Sequence, residues 1–222
     1  MAHKICNFLF PFFLFACIPY AATAQKSFIE GLIIYKVKIE FTNENGSPGH
    51  STGTYTYTIK GSRLKKELKL DNGYQDVVLF NYNKNTVYSL QNKDGKKFAI
   101  QIKMSDVLKD QEKFDGFTLT KLENGAKKIA GFDAAKGIVK YSDGSGEEIY
   151  YTTQFYIDAE TAFERFPAAK FLPLYHAYKD KNGMKMEFQA EKIEETPIEN
   201  ALFAIPPDYK MVSYAEYQQL SK

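Results

Sequence analysis

Few residues in this chain are of types that do chemistry on their own, and their spacing is informative mainly in what it withholds. Three histidines occur, His3, His50 and His176. His50 falls in the turn-like run Ser47-Pro48-Gly49-His50 and His176 in a strand-like run, and neither has a partner at metal-ligand spacing. A Ser-His-Asp relay is assembled in space, so spacing alone leaves it open, yet a surface or packed histidine is the simpler reading of each. Gly144-Ser145-Gly146 lacks the third glycine and the following helix of a phosphate cradle, and reads as a hairpin loop. Asp180-Lys181-Asn182-Gly183 has its glycine too early for a calcium loop and lacks the spaced acid ligands. The lysine pairs Lys65-Lys66, Lys96-Lys97 and Lys127-Lys128 stand among tyrosines, as in single-strand nucleic-acid binders, but acids balance them and solvated strand faces explain them. No catalytic residue, metal ligand or cofactor is expected from these patterns.

The cysteines narrow the chemistry further. Cys6 and Cys17 both lie in the first two dozen residues, which have the form of a signal peptide. Residues 1–4 carry a positive charge, residues 5–16 an apolar run rich in Phe, Pro19 a break and Ala22-Thr23-Ala24 a small-residue cleavage site. A transmembrane anchor fits less well, because the run is short and holds Asn7 and Pro11. The expected division is a signal peptide over 1–24 and one domain over 25–222, with a periplasmic or secreted destination. Leu14-Phe15-Ala16-Cys17 also resembles a lipobox, and the alternative is an outer-membrane lipoprotein attached through Cys17. A chain cut after Ala24 keeps no thiol, which excludes disulfides, thiolate nucleophiles and Cys-ligated metals.

Charge names no polyelectrolyte partner. Of 29 basic residues one, Lys4, leaves with the leader, against 27 acidic ones, so the mature balance is about +1. Arg63 and Arg165 are the only arginines. Readers of phosphate favour the planar guanidinium, so a lysine-dominated surface argues for solvation and against nucleic acid.

What positions such residues is a succession of strands. Residues 28–41, FIEGLIIYKVKIEF, place Ile29, Gly31, Ile33, Tyr35, Val37, Ile39 and Phe41 on one side at a two-residue period. Later strands are expected to pair outward from this one. Asn45-Gly46, Asn72-Gly73, Asp94-Gly95, Asn124-Gly125, Asp143-Gly144 and Asn182-Gly183 each offer a hairpin turn. Alternation predicts strands over 53–60, 63–70, 76–82, 86–91 and 97–104, then 117–122, 127–132, 136–141 and 148–158, and a last hairpin of 174–179 with 184–194. Ser105 caps a short helix over 105–114, a helical turn is expected within 159–170 before Pro167, and Ser213-Tyr214-Ala215-Glu216 is a capping box opening a final helix to Leu220.

The expected fold is therefore mainly β: a single antiparallel sheet of about 11–12 strands with two or three short covering helices. Open sheets of that size curl, so the sheet is expected to form a half-barrel, an unclosed β-barrel. Such a shell has more strands than its own side chains fill, which makes its hollow a site for an apolar ligand. Ile33, Tyr35, Val37, Tyr55, Tyr57, Phe80, Tyr88 and Phe98 are expected to line it. Core packing alone would account for them, but so many tyrosines, whose hydroxyls fit a dry core poorly, favour a lined cavity.

Several of these runs resemble an uncharacterised family of secreted Bacteroidota proteins, known as a domain of unknown function. They are Glu30-Gly31-Leu32-Ile33-Ile34-Tyr35-Lys36-Val37, Lys127-Lys128-Ile129-Ala130-Gly131-Phe132, Ile138-Val139-Lys140-Tyr141, Tyr150-Tyr151-Thr152 and Phe203-Ala204-Ile205-Pro206-Pro207-Asp208-Tyr209. The chain departs from that pattern at Tyr150, where tryptophan is frequent, and at Ala134 or Ala135, where a cysteine is common. More remotely, a curved sheet with covering helices is similar to the lipoprotein carriers and acceptors of the LolA/LolB type. That resemblance implies a pocket for acyl chains and carries over no individual residue.

Together these readings lead to an envelope protein without catalysis, binding a hydrophobic small molecule, lipid or lipoprotein in the concave face. It is expected to be a monomer associating at most peripherally with the outer membrane. The alternative is a structural or interaction protein docking an envelope partner by its sheet edge or face.

Overall fold

The computed structural model describes residues 25–180 and 182–220; the leader with Cys17, and Lys181, lie outside the described residues. In chain order the strands are β1 (Lys26–Ser27), β2 (Glu30–Thr42), β3 (Pro48–Lys60), β4 (Arg63–Leu70), β5 (Gln75–Asn81), β6 (Thr86–Lys93) and β7 (Lys96–Lys103). After helix α1 (Met104–Gln111) come β8 (Thr118–Lys121), β9 (Lys127–Ile129), β10 (Phe132–Lys140), β11 (Gly146–Thr152), β12 (Phe155–Tyr156), β13 (Leu172–Lys179) and β14 (Lys185–Glu194). The chain closes with β15 (Lys210–Ser213) and α2 (Tyr214–Leu220).

Thirteen of these strands form one curved, unclosed sheet in the order β15-β7-β6-β5-β4-β3-β2-β14-β13-β11-β10-β8, with β9 paired to β10. This is the expected half-barrel. β2 sits in mid-sheet, zipped to β3 from Glu30↔Lys60 to Thr42↔Pro48 on one side and to β14 on the other. Its odd positions carry the core: Ile33 and Val37 are wholly buried and Tyr35 nearly so. From β2 to β7 the chain is a plain meander of neighbouring hairpins.

Some details differ from the sequence expectation. Asn124-Gly125 is not a hairpin: β8 and β9, on either side of it, both pair with successive stretches of β10. α1 starts at Met104 with no side-chain cap, because the buried Met104 side chain anchors the helix as β7 ends. Residues 159–170 form no helix but a chain of tight turns, closed by Ala162 N–H to Ala159 O and Phe166 N–H to Phe163 O. The expected strand 148–158 breaks after Thr152, and β12 leaves the main sheet to pair in parallel with β1. β15 also pairs in parallel, along β7. The capping box does form: Ser213 N–H and hydroxyl both donate to Glu216 Oε2 at 2.7 Å, and Glu216 N–H donates back to Ser213 Oγ at 3.2 Å.

Two non-strand segments cover the two faces. On the inner face, residues 157–171 insert Ile157, Phe163, Phe166 and Phe171 into the main core beside Tyr57, Leu174 and Phe188. On the outer face, the link from β14 to β15 crosses the meander and packs Ile205 and Tyr209 on Val77, Leu79, Leu90 and Ala99. Arg63 ties that link down by donating to Asn200 Oδ1 at 2.7 Å, with its guanidinium 4.9 Å from the centre of the Phe203 ring.

Candidate functional site

The hollow of the half-barrel is mostly full. The 157–171 segment occupies it, and a cleft of about 160 Å³ remains between that segment and strands β3, β4, β5, β13 and β14. Tyr55, Tyr57, Leu68, Met186 and Phe188 supply its sheet side, and Phe163, Glu164, Arg165 and Phe166 its roof. Each sheet residue arrives by simple alternation: Tyr55 pairs across to Leu68, Tyr57 to Lys66, and His176 to Phe188.

Rings make most of the wall. Tyr55 and Tyr57 meet edge-on at 5.0 Å, Tyr57 tilts against Phe163 at 5.4 Å, and His176 stacks flat on Phe188 at 4.8 Å. Burial, helped by the charge of Arg165, pushes the His176 imidazole down to about 3, so it is neutral and behaves as one more aromatic plate. Its Nδ1 has no hydrogen-bond partner among the described residues. Burial likewise raises the Tyr55 and Tyr57 hydroxyls, which stay protonated.

A single lysine enters this wall. Lys66 is 7% exposed, its Nζ donates to Thr161 O at 2.6 Å, and it sits 4.9 Å from the Phe80 ring centre and 5.7 Å from that of Tyr57. Burial pushes its ammonium down to about 8, opposed by the charge of Glu164. Because the folded value lies below the unfolded one, the folded protein carries a penalty at neutral pH that lifts as pH rises above 8. Between pH 7.5 and 9.5 the protein should gain about 2 kcal/mol in urea unfolding, and Lys66→Met should abolish that gain. Above pH 10 the raised tyrosines reverse the trend, since they resist an ionisation that the unfolded chain undergoes. A wild-type profile flat from 7.5 to 9.5 would show that Lys66 is solvated.

The eight residues expected to line a hollow separate into groups. Tyr55 and Tyr57 line the cleft. Ile33, Tyr35, Val37 and Phe80 belong to the same core but are sealed behind it, and the Tyr35 hydroxyl is satisfied by donating to Pro173 O at 2.8 Å. Tyr88 lies on the outer face, with Leu79, Leu90 and the β14–β15 link. Phe98 packs under α2, edge-on to Tyr217 at 5.6 Å. Tyr88 departs from the expectation because period-two reading gives the two sides of a strand without saying which side faces the hollow, and Phe98 because, although it shares the side of Ile102, it sits at the far end of β7, where α2 covers it.

Sequence reasoning misses the residues that β13, β14 and the 157–171 segment bring to the cleft. Alternation of Leu174, His176 and Tyr178 is legible; the pairing of β14 with β2 that brings them in is not. His50 stands exposed on β3, paired with Glu40, while His176 is held among rings. Among the described residues no group of three or more His, Cys, Asp or Glu is placed to hold a metal ion. No helix of the described residues is long and apolar enough to cross a membrane.

No protein-family model matches the chain, and no curated protein matches it; the resemblance to the Bacteroidota family gains no support from either. Among solved structures the chain is similar to MucB, at 16% identity and a TM-score of 0.40, covering 84% of this chain and 61% of that one. It thus spans about three fifths of the length of MucB. It is also similar to an uncharacterized conserved protein from Thermus thermophilus, at 11% identity and a TM-score of 0.44 over 81% of this chain and 90% of that one. A putative outer membrane lipoprotein-sorting protein domain from Vibrio parahaemolyticus matches at 13% identity and a TM-score of 0.27, over 78% and 89% of the two chains. All three scores fall below 0.5, so the functional reading rests on the cleft itself.

Proposed function

We propose that this chain is a non-catalytic binding protein of the cell envelope, periplasmic or secreted, that takes the hydrocarbon tail of a lipid, a lipoprotein or another apolar molecule into the cleft of its half-barrel. The observation that carries this reading is the ring-walled gap between Tyr55, Tyr57, Phe188 and the 157–171 segment. Hydrocarbon entering it gains about 0.8 kcal/mol per CH₂ removed from water. A cavity of 160 Å³ is of the size that takes a benzene-like guest, whereas sites for larger molecules run to roughly 300–1,000 Å³. The tip of a chain fits as the protein stands; a whole acyl tail requires the 157–171 segment to lift. That lifting exposes Ile157, Phe163, Phe166 and Phe171, which are buried in the main core, so the tip of a chain is the favoured guest.

The test is extraction of the purified protein into organic solvent for mass spectrometry, with titration by a fluorescent fatty-acid probe. The expected result is saturable probe binding that Leu68→Trp, which fills the cleft, weakens by about tenfold or more. The chain has no native tryptophan, so the new indole also reports occupancy. No extracted lipid and no saturable binding would end the proposal.

One observation favours a second reading, in which the sheet edge or face docks an envelope protein: the 157–171 segment fills most of the hollow. That reading predicts an absence of guest at every stage of purification, and Leu68→Trp without effect on partner recruitment in cells.

A further inference from the structure

A second pocket, of about 260 Å³, lies on the outer face where the β14–β15 link crosses the meander. It shares no lining residue with the cleft. The β5–β6 hairpin supplies its floor through the cross-strand pairs Leu79↔Tyr88 and Asn81↔Thr86, and Phe203 and Ile205 of the link wall one side. The charged side chains of the lining are Arg63 and Lys84, both cations, with no carboxylate among them. In a chain of 29 basic and 27 acidic residues that is a local bias; the cleft sets Asp76 and Glu164 against Lys66 and Arg165. Both cations stand at the Asn81 end: Arg63 pairs with Asn81 across the β4–β5 ladder, and Lys84 N–H donates to Asn81 Oδ1 at 3.1 Å. Arg63 is held in place, its Nη2 donating to Asn200 Oδ1 at 2.7 Å and its guanidinium 4.9 Å from the Phe203 ring centre. That leaves most of its five N–H donors for an anion. Glu30, a carboxylate that feels the charge of Arg63, is already held by Lys60 at 3.0 Å and by Ile198 N–H at 2.7 Å, and does not line the pocket. The Lys84 ammonium has no carboxylate partner among the described residues.

We infer that this outer pocket binds a small organic carboxylate, its head answered by Arg63 and Lys84 at the Asn81 end and its apolar ring laid against Leu79, Tyr88 and Ile205. A volume of 260 Å³ falls just below the roughly 300–1,000 Å³ of sites for drug-sized molecules, which sets the guest at about one ring. Charge-assisted bonds to a guanidinium are roughly twice as strong as neutral ones, so an anionic head outbids a hydroxyl, and an ammonium head meets like charge.

The experiment titrates phenylacetate, phenethyl alcohol and phenethylamine into the wild-type protein by NMR. These share one ring and differ in whether the head is anionic, neutral or cationic. Phenylacetate should bind about tenfold tighter than the alcohol, with the amine weakest, and should weaken as salt is raised. Lys84→Glu, in an exposed turn, should weaken phenylacetate roughly fivefold and leave the alcohol unchanged. Leu68→Trp, which fills the cleft, should leave phenylacetate binding intact. Equal binding of the three heads, or no binding of any, would overturn the inference while the hydrocarbon-binding function stands on its own probe. So would a preference that Lys84→Glu leaves untouched, or one that Leu68→Trp removes, since the anion would then sit in the cleft.

Discussion

Phe166→Ala is expected to lower stability by about 4 kcal/mol and the melting temperature by roughly 8–16 °C. Phe166 is 1% exposed and lies among Phe117, Phe171 and His176, at ring separations of 6.1, 5.7 and 5.2 Å. Truncation removes the transfer free energy of a phenyl ring and leaves a hole that surrounding strands, locked in their ladders, cannot close. The position also roofs the cleft, so the same change enlarges the binding space. The variant should therefore lose stability when empty and recover a larger share of it than wild type when a medium-chain guest is added. Phe166→Leu should cost less than half as much. A fall of under about 3 °C for Phe166→Ala would mean that the 157–171 segment rests loosely in the hollow and is not core.

Gly31→Ala is expected to cost about 3 kcal/mol for a single methyl group. Gly31 is the one gap in the apolar edge of β2, and its φ of +147° is one that side chains rarely adopt. A Cβ there would lie 2.1 Å from the carbonyl oxygen of Glu194 and 2.8 Å from the Phe28 ring. The first is backbone of β14, the partner of β2, so relief requires the central ladder to part where Leu32 pairs with Glu194. The nearby anchor of the β14–β15 link, Ile198 N–H donating to Glu30 Oε1 at 2.7 Å, would be disturbed with it. Gly46→Ala is the control: it also sits at positive φ, but in an open turn with nothing within 4 Å, and should cost only about 1 kcal/mol. Urea unfolding of both variants measures the difference, and equal midpoints would show that β14 yields freely at its end.

The meander was legible because it is local. Each hairpin from β2 to β7 joins strands that adjoin in sequence, and several are closed by Asn-Gly or Asp-Gly pairs, so period-two alternation and turn chemistry pointed the same way. The turns at Gly61 and Asn85 carry no such pair and were still implied by the strands on either side. The Ser213–Glu216 box formed because capping is decided within one turn of helix.

The site was legible only in its near half. Tyr55 and Tyr57 belong to the meander and could be placed on its inner face, but Tyr88 falls on the outer side of β6, and Phe98, on the inner side of β7, lies at the strand's far end under α2 and not at the hollow. The far wall depends on β14 returning to lie beside β2 after some 140 residues, a pairing that no local pattern encodes.

What the amino-acid order determined by itself is a shell: alternating strands, tight turns, too many of them to stay flat, and a chain poor in catalytic side chains. What fills the shell was decided only in three dimensions. Local signals in residues 157–171 offer no more than a helical turn before Pro167, and even that does not form; they become a plug because the curved sheet offers an apolar face that water would otherwise wet. The same burial makes Lys66 and His176 reluctant to hold charge and leaves one oxygen of Glu147 without a donor among the described residues. Desolvation depends on what packs around a group, and those neighbours come from strands far apart in the chain.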